Sequence, residues 1–86
     1  MSVDWEKYST AEQTRLRAKK PDENAVLSLP VISIRNIKPL RVVHEPDPQT
    51  SNRAHTEVFD MPKAEQLAEA RVKLLRIAVV VLPIPQ

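Results

Sequence analysis

The chain has 86 residues, 42% of them hydrophobic and 28% charged, and a formal net charge of +2 at pH 7. That length and balance suit one small folded domain spanning 1–86 rather than a disordered segment. Cysteine and glycine are both absent, which excludes disulfides, thiolate metal sites and cysteine nucleophiles, and argues against the glycine-dependent loops that cradle phosphates or present a serine nucleophile.

Only three aromatics occur, Trp5, Tyr8 and Phe59, so the core is expected to be aliphatic. The longest apolar run, Ile77 to Leu82, falls far short of the ~18 residues that suggest a bilayer span. No cationic start leads into an apolar stretch, so no secretory signal is read. A cytoplasmic protein with no membrane partner is the expectation.

Residues 1–8 (MSVDWEKY) lack a clear period and lead into a short helix, with Trp5 and Tyr8 expected to anchor the segment on the core. Ser9 and Glu12 fit a capping box, and Thr10 to Lys19 are tolerable helix formers before Pro21 forces a stop. Arg15, Arg17, Lys19 and Lys20 invite a nucleic-acid reading, extended by Arg35, Lys38 and Arg41. Arg15 and Arg17, however, fall on widely separated sides of a helix, whereas a groove-reading helix gathers its cations on one face. A solvated surface is the preferred reading, and nucleic acid is kept as an alternative partner.

After the turn PDEN, Ala25 to Ile37 is rich in β-branched residues and leucine and reads as strand. Its apolar phase switches at Pro30, which suggests a bulge, an edge or a strand end. Leu40 to Glu45 and Arg53 to Phe59 read as two further strands joined through the loop PDPQTSN. Placing Arg41 opposite Glu57 and Glu45 opposite Arg53 gives two cross-strand ion pairs, with Leu40, Val42, Thr56 and Val58 together on the other face. This register puts His44 on the apolar face near the loop and His55 on the charged face.

The last element begins at Asp60, a reasonable N-cap, with Pro62 in the first turn and Glu65 at the positive end of the dipole. On a helical wheel Glu65, Gln66, Glu69, Lys73 and Arg76 form one polar arc of about 100°, and apolar residues fill most of the remainder. An ordinary surface helix carries a narrower apolar stripe. One side is expected to meet the sheet; the other must be covered by the N-terminal segment or by a second copy of the chain. Val79 to Leu82 is β-branched enough to leave the helix, and the tail is expected to be extended, adding an edge strand or meeting a partner.

His44, Glu45, Asp47 and His55 are the only metal-ligand types close in sequence, but the histidines fall on different faces, so no metal and no cofactor are expected. No serine sits in a nucleophile context. Arg71 stands inside the apolar arc with Leu67, Ala68, Leu74 and Leu75 around it and no helical carboxylate to pair with. It must reach water, a tertiary carboxylate or an anionic ligand. A small polar notch lined by Arg71 and His44 is the candidate anion site, and a structural salt bridge is the plainer alternative.

The segments DWEKYSTAEQTRLRAKKPDENAV, NRAHTEVF and EARVKLLRIA resemble a family of small uncharacterised bacterial proteins. The likeness covers most of the chain. Relatives carry a glycine near Val31–Ser33 and another after Val58–Phe59, and both are missing here. No activity is known for that family, so the resemblance implies a stable small domain and nothing about function. The expected architecture is α+β: a small antiparallel sheet built on the central hairpin, packed against a long C-terminal helix, with a short N-terminal helix. The expected function is a non-catalytic protein-interaction or self-associating module, as a homodimer or with a protein partner.

Overall fold

The structure, a computed structural model, describes residues 1–85 and has an α+β fold. In chain order the elements are β1 (Ser2–Asp4), α1 (Ala11–Leu16), a single 3₁₀ turn (Pro21–Glu23), β2 (Val26–Ser28), α2 (Val31–Arg35), β3 (Arg41–His44), β4 (His55–Phe59), α3 (Glu65–Ile77) and β5 (Val79–Leu82). The strands form two separate antiparallel groups, a three-stranded sheet ordered β1-β4-β3 and a ribbon of β2 with β5.

The β3–β4 hairpin keeps the expected faces but not the expected partners. Arg41 lies opposite Phe59, Val42 opposite Val58, Val43 opposite Glu57 and His44 opposite Thr56. The slip from the charge-paired register is two residues, so every side chain stays on its face. Two exposed ion pairs contribute only some tenths of a kcal/mol each, too little to hold a register. What holds it lies outside the hairpin. β1 pairs along the far edge of β4, with Val3 opposite Thr56, and Asp47 bridges Asn52 in the loop. Arg41 then finds other partners, stacking 5.2 Å from the centre of the Phe59 ring and pairing with Asp60 at 2.6 Å.

The expected strand Ala25–Ile37 is instead β2 followed by α2. Pro30 ends the extended run and acts as the N-cap residue of α2, at φ −63°. The helix drops Ile34 into the core, 2% exposed, beside Leu40, Val42, Val58 and Leu74. Burial of one isoleucine, worth about 1.5–3 kcal/mol, outweighs the β preference of the segment. At the N-terminus, Thr10 caps α1 rather than Ser9, and its box partner is Gln13.

α3 starts at Glu65, later than Asp60 would have capped it, and no side chain caps it. Asp60 and Ala64 both take positive φ, 64° and 56°, as the chain turns from β4 through half-buried Met61 towards the helix. Leu74 buries against the sheet, with Ile77 packed on the same cluster. The chain then leaves the helix at Ala78 and pairs as β5 with β2, Leu27 opposite Val80 and Ser28 opposite Val79. The Arg15 guanidinium ties this ribbon to α1 by donating to the carbonyls of Asn24 and Pro83.

Candidate functional site

Among the described residues no hydrogen bond or ion pair links the residues singled out above into one cluster. His44 is exposed and donates from Nε2 to the Arg53 carbonyl at 2.7 Å. Its ring stacks on Tyr8, centroids 5.5 Å apart, and meets Trp5 edge-on at 4.8 Å. Arg71 is exposed on α3, and among the described residues no hydrogen bond or ion pair joins it to His44 or to any acid. His55 donates from Nδ1 to the Glu45 carbonyl. Among the described residues no group of three or more His, Cys, Asp or Glu side chains could hold a metal.

Three of the four basic residues around α1 already have partners inside the chain. Arg17 pairs with Asp4 at 2.7 Å, Lys20 with Glu23 at 3.6 Å, and Arg15 is held by the ribbon carbonyls. Lys19 is exposed.

Two features were not legible as sites in the sequence. The first is a polar knot around Asp4. Its carboxylate accepts from Thr14 at 2.8 Å, Arg17 at 2.7 Å and the Asn52 amide at 2.9 Å. Buried Ser9 accepts from Arg17 and shares a hydrogen bond with Thr14, and Asn52 also accepts from the Ala54 amide. Burial by itself would raise the Asp4 pKa, but the bonds from Asn52, Thr14 and Arg17 outweigh it and hold the carboxyl below its ordinary value. The knot joins β1, α1 and the hairpin loop. It is structural in character, since its donors and acceptors satisfy one another, with only the Arg17 side chain part-exposed. The second feature is the aromatic cluster of Trp5, Tyr8 and His44, over which Lys7 and Arg53 sit as cations. Trp5 and Tyr8 join the surface here instead of the aliphatic core.

The most extensive candidate surface is apolar. α3 has two apolar sides. One, with Ala70 and Leu74, is buried. The other carries Ala68, Val72 and Leu75, all exposed, Val72 at 47% and Leu75 at 65%. Where the helix ends, β5 continues the exposure through Val79, Val80 and Val81, with Leu27 across the ribbon from Val80. Polar residues flank the stripe, and open grooves run beside it, one lined by Ala68, Glu69, Val72, Lys73 and Arg76 and another by Ser33, Asn36, Ile37, Lys73, Arg76 and Ile77. Neither groove is enclosed, so neither surrounds a ligand as small-molecule pockets do.

Among the described residues no helix is long and apolar enough to cross a membrane. No protein-family model matches the chain, and neither does any curated protein or solved structure.

Proposed function

We propose that this chain is a protein-interaction module that works by self-association through the apolar face of α3 and β5. The observation that carries the reading is an excess of exposed surface. Folded monomers of 9.8 kDa expose on the order of 5,200 Å². This chain exposes 6521 Å², roughly 1,300 Å² above that scaling relation. A standard interface takes about 800 Å² from each partner, and obligate dimers take more. The radius of gyration, 13.2 Å, also exceeds the ~12 Å of a compact domain this long.

Val72, Leu75, Val79, Val80 and Val81 put five large aliphatic side chains in water along one stretch of chain, and exposed apolar surface gathered in patches marks association sites. A two-stranded ribbon is marginal by itself in water, so β2 and β5 gain from a covering layer. The basic segment around α1 supports nucleic-acid binding less well, because Arg15, Arg17 and Lys20 are engaged within the chain.

Sedimentation equilibrium across a micromolar concentration series tests the reading. The wild-type chain is expected to exceed monomer mass, and Leu75→Asp to sediment as a folded monomer with an unchanged far-ultraviolet circular dichroism spectrum. A wild-type chain that stays strictly monomeric at high micromolar concentration defeats it.

A further inference from the structure

The exposed stripe on α3 has the spacing of a coiled-coil seam. Ala68, Val72 and Leu75 follow one another by steps of four and three residues, and the next step of four reaches Val79, where the chain has turned into β5. Such a seam packs knobs into holes on a second helix. The charges beside it are sorted along the axis. Glu65 and Glu69 lie in the N-terminal half, and Arg71, Lys73 and Arg76 in the C-terminal half. A parallel copy would set acid beside acid and base beside base. An antiparallel copy sets each acidic half against a basic half, and it also opposes the two helix dipoles.

We propose that α3 pairs antiparallel with α3 of a second copy across a two-fold axis, with Glu69 of each chain facing Arg76 of the other. This rests on the self-association reading and adds its geometry. The register follows from the seam. Val72 of one helix packs on Leu75 of the other and the reverse, while Ala68 lies at each end near the start of the other chain's β5. Glu69 and Arg76 are both on the same flank of the stripe at 100° per residue, and in a two-fold antiparallel pair like flanks meet. Symmetry then makes the contact twice. Among the described residues neither side chain has an ion pair within its own chain, so both are available. Arg71 falls on the opposite flank, where the same register brings it near Ala78 of the other copy. Its place beside an apolar stripe is then that of an interface edge, where a long aliphatic stem covers the seam and the guanidinium stays wet.

The pairing is homotypic and closed, as isologous contacts are. About two turns of helix do not bury 1,300 Å²-sized excesses by themselves, so the exposed valines of β5 extend the contact on both sides of the axis.

Charge exchange between copies tests the geometry. Glu69→Arg and Arg76→Glu each turn two attractive contacts into repulsive ones, so each variant alone is expected to self-associate roughly tenfold or more weakly than wild type. Mixed in equal amounts, the two variants are expected to recover association as a heterodimer, because every contact between them is then complementary. The double variant Glu69→Arg with Arg76→Glu is expected to associate as wild type does. Thermal unfolding of each variant at low concentration confirms that the monomer fold is intact. If both single variants associate as strongly as wild type while Leu75→Asp does not, the antiparallel register is overturned and the self-association reading stands. A mixture that fails to recover association also overturns it. A monomeric wild type removes the reading and the geometry together.

Discussion

Asp4 is held in place by three donors from two parts of the chain, Thr14 and Arg17 around α1 and Asn52 in the hairpin loop. Charged hydrogen bonds of this kind contribute about 1.5–3 kcal/mol, and the Arg17 partner is itself part-exposed, so it can return to water. Asp4→Ala is therefore expected to lower stability by about 2–3 kcal/mol, measured by denaturant unfolding near neutral pH. The sign of its pH dependence is fixed by the direction of the shift. Because the folded-state pKa of Asp4 lies below its ordinary value, its contribution is fully present above the carboxylate range and is lost as pH falls through the folded value. Wild type and the Asp4→Asn variant should accordingly converge in stability on acidification. Parallel curves across that range would show that the charge does no stabilising. None of this was visible in the sequence, where Asp4 lay in a segment without pattern; only the fold sets it beside residues 10, 13 and 48 positions away.

At the level of elements, α3 shows how one helix serves two surfaces. Leu74 and Leu75 are adjacent in sequence, yet Leu74 is 6% exposed and Leu75 65%. The consequence is a sharp contrast between neighbours. Leu74→Ala removes methyl groups from the cluster of Ile34, Leu40, Val42 and Val58 and is expected to destabilise the chain by about 2–4 kcal/mol. Leu75→Ala is expected to leave the monomer within about 0.5 kcal/mol of wild type while weakening association. Denaturant titration at low protein concentration, set beside sedimentation of the same samples, separates the two effects. The wide apolar arc was legible from the wheel, because residue spacing alone determines which side chains share a side. Its boundaries were less so. The start of α3 moved to Glu65 because the turn at Asp60–Ala64 places Met61 on the core. The segment after Pro30 became α2, which buries Ile34 in the core cluster, a tertiary contact that local propensity does not register.

For the molecule as a whole, a buried cluster built on Ile34, Leu40, Val42, Val58 and Leu74 must stabilise a chain whose surface exceeds that of a typical monomer of its mass. If the α3–β5 face is covered by a second copy, folding is linked to association by mass action. The melting temperature is then expected to rise with protein concentration for wild type and to be independent of it for Leu75→Asp. Differential scanning calorimetry over a hundredfold or so range of concentration reads this directly, since ligation strengthens with the logarithm of concentration. Coincident melting temperatures throughout would show that the exposed face contributes nothing to stability.

The sequence alone determined the α+β composition, the existence of the hairpin, which of its residues share the apolar face, and the double-sided character of the C-terminal helix. All of these follow from period and turn chemistry, which act between residues a few positions apart. The tertiary structure decided the rest: the two-residue step in hairpin register, the pairing of β1 with β4 and of β5 with β2, the knot around Asp4, and which apolar side of α3 stays in water. Each of these depends on groups distant in sequence meeting in space, where packing and paired backbone outweigh the small local preferences that a linear pattern records.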